Sequence, residues 1–147
     1  MGGPALAQSP DPADIHRAAL TQGEFDPFTR VLARIDVSQQ RMYVYVENRL
    51  VHVWPVSTAG YGSYTPRGQW NAYWLSPNHR SSKYNNAPMP WSVFFNGDYA
   101  IHGTTAVGQL GSPASHGCVR LHTDNARIFF DLVERYGMAS TVVSVVD

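Results

Sequence analysis

A single mostly-β domain with one principal helix is the fold class this sequence predicts, and three observations predict it. Twelve glycines and ten prolines among 147 residues mark frequent structured turns, which suit strands better than a helical bundle. The run RMYVYVENRLVHVWPV, residues 41 to 56, alternates in its first half between Met42, Val44, Val46 and Arg41, Tyr43, Tyr45, the period of a strand with one face on a core. Asn96-Gly97 stands between the apolar runs WSVFF and DYAIHG, the strongest short-range hairpin signal in the chain. A chain of this length buries about two-thirds of its unfolded-state surface as one domain.

The elements follow in order. Residues 1 to 24, with Pro4, Pro10 and Pro12, read as a flexible lead that holds a helical turn or two in IHRAALTQG, and residues 25 to 147 as the folded domain. VLARIDVS opens the strand series. The next two strands turn at Glu47 and Asn48. STAGYGSYTPRG, residues 57 to 68, is too rich in Gly, Ser, Thr and Pro to be an element interior and reads as an ordered loop. QWNAYWL is expected as one further strand, with Trp70, Ala72 and Trp74 on one face. SPNHRSSKYNNAPMP, residues 76 to 90, shows no periodicity and is expected as a structureless connection, either decoration or a lid over a site. A helix is expected over residues 124 to 136, with Thr123 as N-cap, Asp124 in its first turn, and Ala126, Phe129, Leu132, Val133 and Tyr136 along its apolar stripe. Gly137 ends it. STVVSVV closes the chain as a strand, for six or seven strands in all.

Eleven basic residues balance eleven acidic ones without a long run of either, which gives no support to a nucleic-acid partner. No stretch approaches the ~20 apolar residues of a membrane span. The opening MGGPALAQSP has the small residues of a signal-peptide end without the basic and apolar segments that precede one, so a targeting segment is expected to have been absent or already removed. One cysteine makes an internal disulfide impossible. Zinc-finger spacing and a phosphate-binding glycine loop are both missing.

That cysteine, Cys118, lies in SHGCVRL with His116 two residues before it, His122 four after it and His102 sixteen before it. Three readings are open from the local sequence. A nucleophilic cysteine needs a base, because an unperturbed thiol has a pKa of about 8.5; His116 and His102 are the candidates. Gly117 allows a bend in which successive N–H groups converge, as an oxyanion hole requires. A zinc site could draw four ligands from Cys118, His102, His116 and His122, although the gaps are uneven and no acidic partner stands nearby. A buried inert thiol is the plain alternative, and His122 reads most simply as a cover for the helix start.

The stretch YAIHGTTAVGQLGSPASHGCVRLHTDNARIFFDLVERYG, residues 99 to 137, resembles the catalytic region of the L,D-transpeptidases, the YkuD-like cysteine enzymes of bacterial cell walls. Their signature is a His-Gly pair, a spacer, then Ser or Thr with His-Gly-Cys and commonly one residue and Arg; here it is His102-Gly103, Ser115-His116-Gly117-Cys118 and Arg120. Residues 35 to 70 are similar to the family's opening strands and to its Ser/Thr-x-Gly and Thr-Pro-x-Gly turns, here Ser57 to Gly60 and Thr65 to Gly68. The likeness runs from about Val31 to Val146.

The resemblance implies a YkuD-like β-sandwich or partly open barrel, two sheets flanking a groove that holds Cys118. It implies Cys118 as the acylated nucleophile and His102, not His116, as general base, with Gly103 orienting that base through its carbonyl. His116, Gly117 and Cys118 would shape an oxyanion hole, Ser115 and Arg120 would hold the segment, and Arg120 is also a candidate for a substrate carboxylate. Tyr61, Tyr64, Met89 and Trp91 are candidates for the groove wall, although such residues beside strands usually serve packing. The implied activity is L,D-transpeptidation on peptidoglycan stem tetrapeptides: release of D-Ala through an acyl-enzyme and formation of 3→3 cross-links. Water or a lipoprotein lysine as acceptor would make the same site a carboxypeptidase or an anchoring enzyme, and a silent wall-binding module is the alternative of another class. No metal and no cofactor are needed. A monomer without membrane insertion, a covalent carbapenem adduct and a periplasmic or other extracytoplasmic location complete the expectation.

Overall fold

The computed structural model describes residues 28 to 147. The expected lead and its helical turns lie outside the described residues. Nine strands are present among the described residues: β1 (Val31–Asp36), β2 (Arg41–Val46), β3 (Arg49–Pro55), β4 (Gly68–Asn71), β5 (Trp74–Arg80), β6 (Pro88–Asn96), β7 (Tyr99–Thr104), β8 (Val119–His122) and β9 (Thr141–Val146). One α-helix, α1 (Thr123–Tyr136), joins β8 to β9. The strands form a five-stranded sheet in the order β3-β2-β1-β9-β4 and a four-stranded sheet in the order β5-β6-β7-β8. The mostly-β architecture of two sheets that do not close into a barrel, with one helix after the cysteine, is the fold the sequence predicts.

The turns form where local chemistry favours them. Glu47 and Asn48 both adopt positive φ, 51° and 65°, as a two-residue hairpin turn requires. The β6–β7 hairpin forms as expected but turns one residue later, at Gly97 and Asp98, with Gly97 at φ 53° and Asn96 paired with Tyr99 at the end of β6. Gly137, at φ 96°, ends α1 and donates its N–H to the Val133 carbonyl. The start of the helix differs from expectation by one residue. His122 is the cap, its Nδ1 accepting from the Asp124 N–H at 3.1 Å, so an imidazole does there what a Ser, Thr or Asx side chain usually does.

The strand count also exceeds expectation, because two polar stretches are extended. QWNAYWL is not one strand: β4 ends at Asn71 and pairs with β9, whereas β5 starts at Trp74 and pairs with β6. Residues 76 to 90 are not structureless either. All but residues 81 to 87 belong to the β5–β6 hairpin, including Pro77, Pro88 and Pro90. Arg80 faces Pro88 and Asn78 faces Pro90, in a section where no β7 residue is registered opposite either proline. A strand with an open side accommodates a residue that lacks an N–H donor.

The main core lies between the sheets and under α1. Val31, Ala33 and Ile35 of β1, Met42 and Val44 of β2 and Val143 and Val145 of β9 meet Val93, Phe95, Ile101, Val119 and Leu121 of the four-stranded sheet. Ala126, Phe129, Phe130 and Val133 of α1 complete it. Phe129 is fully buried, and truncation of a buried phenylalanine typically removes about 3–5 kcal/mol. Phe129→Ala should therefore lower the urea-unfolding free energy by about that amount without changing the β-sheet content; an unchanged midpoint would mean the helix is not seated on this core.

Candidate active site

The site begins with a parallel strand pair. β7 and β8 run in the register Ile101↔Val119, His102↔Arg120, Gly103↔Leu121 and Thr104↔His122. Ile101, Val119 and Leu121 point into the main core and are fully buried. Side chains alternate along a strand, so Ala100 and His102 on β7 share the opposite face with Arg120 on β8 and with Cys118 just before it. The sixteen-residue step from His102 to Cys118 spans the crossover, residues 105 to 118, and a parallel pair demands a connection of about a dozen residues or more. The motif spacing is thus a consequence of topology.

That crossover is held in place by the two turns noted upstream. Ser57 exchanges both backbone hydrogen bonds with Arg120, at 3.0 and 2.9 Å. The Ser115 N–H donates to the Thr58 carbonyl at 2.9 Å, and the Gly60 N–H donates to the Ser115 carbonyl at 2.9 Å. Thr65 Oγ1 donates to the Gly117 carbonyl at 2.7 Å and accepts from the Ala59 N–H at 3.0 Å. Ser115 works within the loop: its Oγ donates to the Cys118 carbonyl at 2.6 Å and accepts from the Gly117 N–H at 3.0 Å. Gly117 has φ 141°, and a Cβ there would lie 2.7 Å from the Tyr99 ring and 3.0 Å from the Tyr64 carbonyl. Only glycine fits that bend.

His102 is 6% exposed, and its Nδ1 lies 2.7 Å from the Gly103 carbonyl oxygen. A carbonyl only accepts, so Nδ1 carries the proton and Nε2 keeps its lone pair. Gly103 itself is tightly enclosed, since a Cβ there would come within 2.9 Å of Thr123 Cα. Cys118 packs against a small apolar cluster of Met89, Phe94 and Ala100, and its thiol faces the Asp98 carbonyl at 3.7 Å. His116 points elsewhere: its ring is stacked on Tyr84 from the β5–β6 hairpin tip, 4.1 Å between centroids at 11°. Arg120 Nη1 donates to Gln109 Oε1 at 3.2 Å.

Residues 30–145 match the family described as the YkuD L,D-transpeptidase catalytic domain. The chain belongs to that family. It is 28% identical over 137 residues to the probable L,D-transpeptidase ErfK/SrfK of Escherichia coli, a match covering 77% of this chain and 43% of that protein. The chain spans between 43% and 51% of the length of the curated relatives it matches. Against the crystal structure of an L,D-transpeptidase from Xylanimonas cellulosilytica the TM-score is 0.67 at 27% identity, over 88% of this chain and 68% of the other. L,D-transpeptidase 3 of Mycobacterium tuberculosis, solved in complex with a faropenem-derived adduct, is similar in fold, with TM-score 0.71 at 16% identity over 80% of this chain and 60% of that one.

In this L,D-transpeptidase domain the remaining predicted residues are distributed unevenly. Met89 lies beside Cys118 in the same apolar cluster. Tyr61 and Tyr64 are exposed on the loop that holds the crossover, Tyr64 with the Arg67 guanidinium 5.5 Å over its ring. Trp91, at φ 57°, packs on Phe130 of α1 at 5.2 Å and lies under Arg127 at 5.0 Å, on the helix side. His122 serves the helix cap. Among the described residues no group of three or more His, Cys, Asp or Glu side chains is placed to hold a metal ion, so the four side chains weighed as zinc ligands do not converge. Sequence reasoning passed over His79, which joins Trp74 and Phe94 in a ring cluster on this sheet: Trp74 and Phe94 stack at 4.6 Å, and His79 meets Phe94 edge-on at 4.9 Å. Its neighbours Pro77 and Asn78 conceal it.

Burial dominates the electrostatics. It lowers the His102 pKa to about 4, with the Gly103 carbonyl opposing and the charges of Arg120 and His79 reinforcing the shift. Burial likewise raises the Cys118 thiol, with an Ala100 backbone hydrogen bond and the Arg120 cation pulling it back, Asp98 pushing it up and Lys83 pulling it down. The resting pair at neutral pH is therefore thiol and neutral imidazole. The folded His102 pKa lies below its ordinary 6.5, so the unfolded chain takes up a proton that the folded chain refuses. The stabilisation is complete above about pH 6.5 and is lost as pH falls toward 4, with a limiting slope of about 1.4 kcal/mol per pH unit. His52, also lowered by burial, adds to the same window. Urea titrations from pH 7 to 4 should show a shallower loss in His102→Gln than in the parent; equal slopes would place His102 in solvent contact.

Proposed function

We propose that this domain is a cysteine-dependent L,D-transpeptidase acting on peptidoglycan stem tetrapeptides. The reading is carried by one observation: the Nδ1–H of His102 is engaged by Gly103, which leaves Nε2 as a base on the face that also bears Cys118. Nε2 takes the thiol proton as sulfur attacks the carbonyl before the terminal D-Ala. The C=O π pair moves to oxygen, which then faces backbone N–H donors of the Cys118 turn. The Gly117 N–H is already committed to Ser115 Oγ, so the donors in this proposal are His116 and Cys118. The intermediate collapses, the C–N bond breaks, and the imidazolium returns its proton to the departing D-Ala amine. An amine of a second stem then gives a proton to Nε2 and attacks the thioester, forming the cross-link and restoring the thiol.

Burial fits the chemistry. A thiol that is neutral at rest is protected from adventitious oxidation, and Arg120 and Lys83 are placed to favour the thiolate once the proton has moved. Tyr61, Tyr64 and Met89 remain the proposed groove wall, and a location outside the cytoplasmic membrane follows from the substrate. No described helix is long and apolar enough to cross a membrane.

The domain incubated with purified stem tetrapeptide should yield, by mass spectrometry, a dimer lacking one D-Ala, and a carbapenem should add covalently to one site. Cys118→Ala should form neither product above about one part in a thousand of the parent rate, and His102→Ala should lose about 10²–10⁴-fold. A tripeptide product without dimer would identify water as acceptor; turnover by Cys118→Ala would refute the covalent mechanism.

A further inference from the structure

The tip of the β5–β6 hairpin reaches the nucleophile through two adjacent residues. The Tyr84 ring stacks on His116, two residues before Cys118. The Lys83 ammonium lies 3.5 Å from the Asp98 carboxylate, and Asp98 is the residue whose carbonyl faces the Cys118 thiol at 3.7 Å. Tyr84 thus fixes where the tip sits, and Lys83 brings a cation to the rim of the site. Arg120 supplies a second cation on the same face as Cys118 and meets only the neutral Gln109 among the described residues.

The Lys83–Asp98 pair is a poor structural bond. Its side chains are 65% and 85% exposed, and such pairs hold little net free energy because water and salt screen them. A carboxylate arriving with substrate can displace Asp98 at small cost, and the flexible lysine stem can follow it. The substrate proposed above has such a group in the terminal carboxylate of D-Ala, and a stem residue with an acidic side chain supplies a second.

We propose that Lys83 is a specificity-determining residue that binds a carboxylate of the donor peptide by exchanging Asp98 for it. This rests on the acyl-transfer reading of the site, and its test has one arm that does not. Cys118 of the full chain is alkylated at low salt with iodoacetate and, separately, with iodoacetamide; the ratio of the two rates cancels any change in thiolate fraction. Lys83→Gln should lower the iodoacetate-to-iodoacetamide ratio about threefold to fivefold, the scale of one unit charge at contact in water. Lys83→Arg should keep the ratio, and Asp98→Asn should raise it. A ratio that does not respond to Lys83→Gln overturns the proposal.

The second arm names the carboxylate. Donor tetrapeptides are compared with both carboxylates free, with only the terminal one amidated, and with only the side-chain one amidated. Lys83→Gln should raise KM about tenfold on the free peptide, and that KM penalty should vanish on whichever amide removes the group Lys83 binds. An equal penalty on all three peptides would overturn the proposal in favour of a structural role for the tip. If the parent turns over none of them while the alkylation ratio still follows Lys83, carboxylate binding stands and the stem-peptide reading fails.

Discussion

The parallel pairing of β7 with β8 is the constraint on which the rest of the site depends. It gives each strand an inward set, Ile101, Val119 and Leu121, anchored in the main core, and an outward set that contains the imidazole and stands beside the thiol. A one-residue slip of β8 would exchange its two faces, burying Arg120 in hydrocarbon while expelling Val119 and Leu121, and the cost of burying a charge forbids it. The register is therefore enforced by the core, and the site inherits that precision.

The same pairing creates a problem that the upstream turns resolve. A parallel connection without a full helix leaves residues 105 to 118 with backbone groups to satisfy. Ser57, Thr58, Gly60 and Thr65 satisfy much of that need, and they do so at both ends of the Ser115–Cys118 turn. The bend at Gly117 is thus held from outside by Thr65 and from inside by Ser115. Burial that keeps the resting pair neutral also removes water from it, so the Arg120 cation acts on it through a medium that screens it less than bulk solvent. Positioning and electrostatics here have one origin, the packing of the loop against the sheet.

Much of this was legible in the sequence where the determining chemistry is local. The Glu47-Asn48 turn, the β6–β7 hairpin at Gly97, the apolar stripe of α1 and its stop at Gly137 rest on residues adjacent in the chain, and the Ser-His-Gly-Cys motif with its distant His-Gly pair identified the residues that the register later brings to one face. What depends on long-range partners was not legible. β5 reads as loop because Pro77, Asn78 and His79 lie on an edge strand whose pairing with β6, more than propensity, makes it extended. Tyr84 looks idle until the hairpin folds it onto His116. His122 as cap is invisible to rules built on Ser, Thr, Asn and Asp. The groove candidates divide for the same reason: Met89 and Trp91 are two apart on one strand, yet the positive φ at Trp91 breaks the alternation that would have put both on one side.

The acyl transfer turns on the protonation of one ring. If the Gly103 carbonyl fixes the imidazole, nitrogen NMR of selectively labelled protein at neutral pH should show His102 with Nδ1 protonated and Nε2 bare, and the assignment should persist in Cys118→Ala because Gly103 and not the thiol dictates it. A His102 ring protonated at Nε2, or at both nitrogens, at neutral pH would contradict the proposed mechanism at its first proton transfer.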